Sequence, residues 1–189
     1  MFILAVSPGT GFDAVRWRAV LASGVDALMI REKHLEAGPL LDLARRAQDL
    51  APGLELWLNG RLDVALAAGC GLHAPEAYPE VEPALLPLSR PLHDESQWAA
   101  RRTCAQLLVA PIFPSPGKGE PWGETRLARF LEGWPEIGPR VLALGGMDAT
   151  KAALLRHPRL GGVALIRALW GAQDPRSVVD ALREAWAEP

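Results

Sequence analysis

Short apolar runs rich in Val, Ile and Leu recur down this chain, and each is followed by an amphipathic stretch of about one to four helical turns. That alternation is the signature of parallel β/α units, in which strands buried on both faces need no polar alternation of their own. The runs are Phe2–Val6, Ala27–Arg31, Leu54–Leu58, Gly71–His73, Leu85–Ser89, Gln106–Ala110, Arg140–Leu144 and Gly162–Ile166. Helices are predicted at Phe12–Ala22, Ala37–Asp49, Arg61–Ala68, Glu95–Arg101, Glu124–Leu131, Ala149–Arg156 and Pro175–Ala187. Only "APEAYPEVEPALL", after the fourth strand, carries no helical pattern. Eight such strands predict a compact (β/α)8 barrel with one helix missing after strand four. An open doubly wound sheet would need a GxGxxG turn after strand one, and "SPGTGFDA" holds only two glycines.

The 189 residues are short for this barrel, whose usual lower end is about 200 residues, so the loops must be tight and one domain over 1–189 is expected. The net charge of −2 and the lack of any Lys/Arg block argue against a nucleic-acid partner. The apolar opening "MFILAV" is too short for a signal peptide or a membrane span, which predicts a cytoplasmic protein with no membrane partner. Cys70 and Cys104 lack any metal-type spacing and read as buried, reduced thiols, with no zinc. Seven tryptophans against one tyrosine are consistent with buried or interfacial surface, and a homo-oligomer stays open.

In this fold the chemistry sits where strands end and βα loops begin. The strand ends supply Ser7; Arg31, Glu32, Lys33 and His34; Asn59 and Arg61; His73; His93; Gly145-Gly146; and Arg167, with the long loop "PIFPSPGKGEPWGET" after strand six. Asn59-Gly60 is hairpin chemistry by composition, yet a helix follows it, so it reads as a strand-to-helix corner. In "ALGGMDATKAALL" the two glycines precede a helix with Asp148 as N-cap, and backbone N–H groups there can close on a phosphate together with the turn at Ile166-Arg167. The alternative is that Gly145-Gly146 only permits close packing of helix on sheet. By period-two alternation Arg31 and Lys33 share a face that suits an anion while Glu32 points away; the alternative is a solvated strand end. His73 and His93 are both candidates for proton transfer and both candidates for structural roles. The loop around Lys118 is either a lid or a passive connection. No pair of carboxylates stands at two strand ends as a divalent metal would require, and no Ser-His-Asp or Cys-His arrangement is visible.

With those residues in view the chain resembles the thiamine-phosphate synthase/TenI family of small barrels. The carriers are "MIREK" (family pattern close to Q-x-R-E-K), "LNGRLDVALAAGCGLH" (close to N-D-R-x-D-V-A-x-x-x-G-A-D-G-V-H), "APIFPSPGK", "ALGGM" and "GGVALIRAL", in family order from Phe2 to about Ala187. The resemblance implies two activities. Synthases couple a Mg²⁺-bound hydroxymethylpyrimidine diphosphate to thiazole phosphate, with the acid of the N-D pair as a metal ligand; here that position is Gly60, and "HAPEAYP" replaces the second acidic segment. TenI-type proteins are metal-free thiazole tautomerases, isomerases of thiamin biosynthesis that aromatise a carboxythiazole phosphate. The departures at Gly60, Met29 and Pro91 point to the tautomerase, with no cofactor and no metal, Mg²⁺ belonging only to the synthase alternative.

On that expectation His93 shuttles the proton, and Arg31 and Lys33 hold the ring carboxylate. The phosphate sits on Gly145, Gly146, Ile166 and Arg167, Ser115, Gly117 and Lys118 close over it, and Asn59 contacts the ligand. Two alternatives stay open: the synthase itself, and a non-catalytic ligand-binding or regulatory relative.

Overall fold

In a computed structural model, which describes residues 1–82 and 84–187, strand follows helix around a closed ring of eight parallel strands, β1 pairing with β8. The strands are β1 (Phe2–Val6), β2 (Ala27–Ile30), β3 (Glu55–Asn59), β4 (Gly71–His73), β5 (Leu88–Leu92), β6 (Gln106–Val109), β7 (Arg140–Leu144) and β8 (Gly162–Leu165). The helices are α1 (Ala14–Leu21), α2 (Ala37–Leu50), α3 (Leu62–Ala68), α4 (Trp98–Arg101), α5 (Gly123–Glu132), α6 (Ala149–Leu154), α7 (Arg167–Trp170) and α8 (Pro175–Ala187), with a 3₁₀ turn at Glu95–Gln97 leading into α4. Among the described residues no helix is long and apolar enough to cross a membrane.

The barrel agrees with the periodicity; β3 lies one residue later than expected, β6 and β8 end one residue earlier, and the boundaries of β5 and β2 differ for physical reasons. The apolar run Leu85–Ser89 predicts β5 too early: pairing Leu72 with Leu88 and Leu92 with Val109 sets the strand at Leu88–Leu92, so Leu85 lies outside it and half exposed. Strand β2 stops at Ile30 rather than Arg31, because the chain beyond it turns to meet the β1–α1 loop.

Between β4 and β5 there is no helix among the described residues. Arg90 on β5 takes its place. This guanidinium is 5% exposed and donates to the carbonyl oxygens of Pro75, Tyr78 and Pro79 at 3.4, 3.1 and 2.9 Å, so the irregular segment finds a partner for its backbone without helical hydrogen bonds.

Two apolar shells follow from strand alternation. Ile3, Ala5, Leu28, Ile30, Leu56 and Leu58 face the helices, while Leu4, Val6, Ala27, Met29, Trp57, Leu108, Leu142 and Ala164 fill the interior. The lower end is plugged: Arg140 donates to Glu55 at 3.0 and 3.2 Å and lies 3.8 Å over the Phe2 ring, and Trp57 Nε1 donates to Glu55 at 2.8 Å. A Cβ on Gly71 would come within 2.4 Å of the Trp57 ring, so that glycine makes room for the indole. The interior is packed, and its one open end is the rim at the C-terminal ends of the strands.

One polar column crosses this interior. His73 Nδ1 lies 2.9 Å from Ser89 Oγ, and Gln106 Nε2 reaches the same oxygen at 3.4 Å. Burial first, then the charges of Arg90 and Arg31, pushes the His73 pKa from 6.5 down to about 3. Burial thus holds the imidazole neutral, which with its Ser89 contact favours the structural reading over proton shuttling near neutral pH. Because its folded pKa is lowered, its contribution to stability is complete above about pH 6.5 and is lost as pH falls toward 3. Thermal melts of the wild type should show Tm dropping from pH 6.5 to pH 4, and His73→Gln, which cannot take up that proton, should flatten the drop. Equal slopes in both proteins would refute the assignment.

Candidate functional site

Residues converge on the rim because each strand delivers its last side chains there. On the β1–β2 side the central feature is Glu32, 3% exposed. Its Oε1 accepts from Ser7 Oγ at 2.6 Å and from the Gly9 amide at 3.0 Å, and Oε2 accepts from the Gly11 amide at 2.7 Å. Ser7 Oγ in turn accepts from the Arg31 amide at 2.8 Å. A buried carboxylate is tolerable only with such donors. Sequence alternation alone misplaces it: with β2 ending at Ile30, the period-two rule no longer sorts Arg31, Glu32 and Lys33, and Glu32 is a pin for the β1–α1 loop. Arg31 is half-buried and Lys33 exposed.

At the end of β3, Asn59 is half-buried and Gly60 turns the chain with φ +70°, a left-handed value that favours glycine. The Gly60 amide donates to the His73 carbonyl at 2.9 Å, and α3 begins two residues later, so Asn59-Gly60 is the strand-to-helix corner. Arg61 then forks onto Asp63, Nε to Oδ1 at 3.0 Å and Nη2 to Oδ2 at 2.7 Å. That hydrogen bond holds the Asp63 carboxyl below its ordinary range, and the Arg61 guanidinium is correspondingly raised.

His93 stands exposed just after β5. Its Nδ1 lies 2.7 Å from the Ala110 carbonyl oxygen, which can only accept, so Nδ1 carries a proton and Nε2 is the acceptor of the neutral ring. Nε2 is 3.9 Å from Glu76 Oε2. Glu76 is a rim residue that periodicity overlooks, since it lies in a proline-rich segment without strand or helix pattern; its signal is an acid three residues past β4. Gln97 Nε2 and Arg101 Nη2 donate to its Oε1 at 2.9 and 2.6 Å. Gln97 also receives the His93 amide at 2.9 Å, which ties His93 and Glu76 to one short turn.

On the opposite side, Gly145 and Gly146 have φ of +108° and +64°. A Cβ on Gly146 would lie 2.9 Å from the Phe113 Cβ, and one on Gly145 would lie 3.0 Å from Pro111. Close packing against the β6–α5 loop thus requires both glycines. Asp148 caps α6, accepting from the Lys151 amide at 2.9 Å, as expected. Ile166, half-buried, packs on the interior cluster, and Arg167 is exposed at the first turn of α7. Ser115 Oγ donates to the Phe113 carbonyl at 3.2 Å, while Gly117 and Lys118 are exposed in the loop between β6 and α5. The structure therefore puts Arg31, Asn59, His93, Gly145-Gly146 and Ile166-Arg167 at one end of the barrel. Cavities of about 380 Å³, beside Glu76, Arg90 and Cys104, and about 330 Å³, beside Trp134 and Arg159, lie outside that mouth; the first is on the flank and the second at the plugged end.

A family model described as thiamine monophosphate synthase matches residues 9–169. The chain belongs to the thiamine monophosphate synthase family. A putative thiamine-phosphate synthase of Geobacter sulfurreducens is 36% identical over 86% of this chain and 81% of its own length. The thiamine-phosphate synthase of Anaeromyxobacter dehalogenans is 32% identical over 97% of this chain and 87% of its own. Among solved structures, a thiamine phosphate pyrophosphorylase from Pyrococcus furiosus superposes with a TM-score of 0.84 at 20% identity, covering 98% of this chain and 95% of that one, a likeness of fold. These relatives correct the expected activity. They carry the synthase name, a transferase, and overturn the reading as a thiazole tautomerase and isomerase. That reading leaned on single positions such as Gly60, and likeness across nearly the whole chain outweighs them.

Synthases of this family imply a Mg²⁺ ion, and the residues present do not fit one. Glycine stands at 60, Asp63 is engaged through both oxygens, Glu32 is saturated, and one oxygen of Glu76 is held by Arg101 and Gln97. Among the described residues no three His, Cys, Asp or Glu side chains gather as a metal would need.

The Glu32 pin gives a stability test. Glu32→Ala leaves Ser7 Oγ and the Gly9 and Gly11 amides without their acceptor and should cost about 3 kcal/mol in urea unfolding. A loss below about 0.5 kcal/mol, the range of an ordinary surface substitution, would show that the carboxylate does not hold the loop.

Proposed function

We propose that the protein is a thiamine-phosphate synthase, a transferase that couples hydroxymethylpyrimidine diphosphate to thiazole phosphate. In that coupling the bond between the pyrimidine's exocyclic carbon and the diphosphate oxygen breaks, the thiazole ring nitrogen bonds to that carbon, and inorganic diphosphate leaves. The observation that carries the proposal is the likeness to named synthases over most of the chain at 36% and 32% identity. The rim supports it by supplying what the reaction needs, which is positive charge where a diphosphate departs.

In this proposal Arg31 and Lys33, after β2, meet the diphosphate, with Arg61 beside them, and Asn59 positions the pyrimidine at the β3 corner. The thiazole phosphate lies across the β7 and β8 loop ends, on the backbone of Gly145-Gly146 and Ile166-Arg167, with the guanidinium of Arg167 at hand. The segment containing Ser115, Gly117 and Lys118 closes over it. His93, whose Nδ1 proton points at the Ala110 carbonyl, turns the acceptor Nε2 toward the amino group of the pyrimidine and so orients that ring.

The test is direct. Purified protein in Mg²⁺-containing buffer, given both precursors, should form thiamine phosphate and diphosphate in equal amounts. Arg31→Met should lower kcat/KM about a hundredfold, on the order of 2.7 kcal/mol of lost transition-state stabilisation. Absence of product from the wild type over hours would refute the proposal.

A further inference from the structure

We infer that the barrel mouth takes its phosphorylated ligand as the bare anion, held directly by guanidinium and ammonium groups and not through a divalent cation lodged on protein carboxylates. The inference rests on the synthase reading for the identity of the anion, a diphosphate, and on the charge pattern of the rim for everything else.

Consider every acid within four residues of a strand's C-terminal end. Glu32 is held by Ser7 and two backbone amides, and Asp63 by the fork of Arg61. Glu76 is held by Arg101 and Gln97. Asp94 accepts from the Ser96 amide at 2.9 Å and pairs with Arg126, which also takes Glu95 at 3.0 Å. Asp148 caps α6 and pairs with Lys151 at 3.1 Å. Apart from Glu76 Oε2, a single oxygen 3.9 Å from His93 Nε2, a carboxylate binding Mg²⁺ here would have to give up a donor that it holds, and one lone oxygen is not the set of carboxylates that a divalent ion requires. A carboxylate is missing at 60 as well, where φ +70° disfavours most side chains.

The cations show the opposite pattern. Arg31, Lys33 and Arg167 fall within the same reach of strand ends, and among the described residues their side chains enter none of the ion pairs that occupy those acids. Arg61, fixed by Asp63 through Nε and Nη2, keeps its remaining N–H donors for a ligand. The rim is thus a set of neutralised acids beside unneutralised bases, the electrostatics of an anion receptor.

A consequence separates this arrangement from a metal-centred one. In solution Mg²⁺ complexes diphosphate and lowers its charge, so it competes with a cationic rim, whereas it would bridge diphosphate to a carboxylate site. Calorimetric titration of inorganic pyrophosphate into the wild-type protein, in EDTA and again in excess MgCl₂ at matched ionic strength, reads the difference. Binding in EDTA is expected, unchanged or weaker with Mg²⁺. Arg31→Met and Arg61→Met, each checked for native circular dichroism, should lose at least about tenfold in affinity.

Binding at least about tenfold tighter with Mg²⁺ overturns the inference, as does no binding in EDTA or full affinity in both variants. The coupling assay stays independent. Product formation with Mg²⁺-dependent pyrophosphate binding would keep the synthase and discard the bare-anion site, and metal-free binding without product would do the reverse.

Discussion

Closure of the sheet between β1 and β8 is the constraint on which the remaining architecture rests. Eight parallel strands shared among 189 residues leave about 24 residues for each strand, helix and pair of connections, so the chain has no room for inserted subdomains. Loops are short, one connection has no helix among its described residues, and Arg90 substitutes for it by binding three carbonyl groups of the irregular segment. The Arg140–Glu55 pair and the rings of Phe2 and Trp57 block the lower end. The end left open is the upper rim, formed by residues within a few positions of the strand ends.

Charge at that rim is arranged in two tiers. The acids serve the protein: Glu32 pins the β1–α1 loop, Asp63 steadies Arg61, and Glu76 with Gln97 and Arg101 builds the β4–β5 corner beside His93. Of the bases, Lys33 and Arg167 are exposed and Arg31 and Arg61 half-buried. The anion receptor proposed here is preorganised, because the groups that hold the Arg61 guanidinium and the His93 imidazole in place are themselves hydrogen-bonded before any ligand arrives. The same economy explains the two histidines. His73, locked against Ser89 and surrounded by protein, is kept neutral, whereas His93 has one nitrogen tied to a carbonyl and the other turned to the rim.

Much of the fold is legible in the sequence because parallel strands are continuous apolar runs, and the Asn59-Gly60 corner and the Asp148 cap follow from local chemistry. What is not legible depends on pairing between distant segments. The shift of β5 from Leu85–Ser89 to Leu88–Leu92 is set by its neighbours, since "ALLPLSRPL" offers apolar residues in either frame. Glu32 becomes buried only because Ser7 and the amides of Gly9 and Gly11 come round the barrel to meet it. Glu76 stands in a segment with no periodicity at all. The activity is least legible: Gly60 points away from the synthase, and likeness over most of the chain points back to it.

The central claim is that one barrel mouth receives both phosphorylated groups on cations and backbone amides. A crystal structure of the protein with thiazole phosphate and inorganic diphosphate bound tests it most directly. The account predicts the thiazole phosphate against Gly145-Gly146 and Ile166-Arg167, and the diphosphate within hydrogen-bonding distance of Arg31 and Arg61. Either anion found at the plugged end beside Arg140 and Arg159, or on the flank beside Arg90, with the mouth left empty, would contradict it.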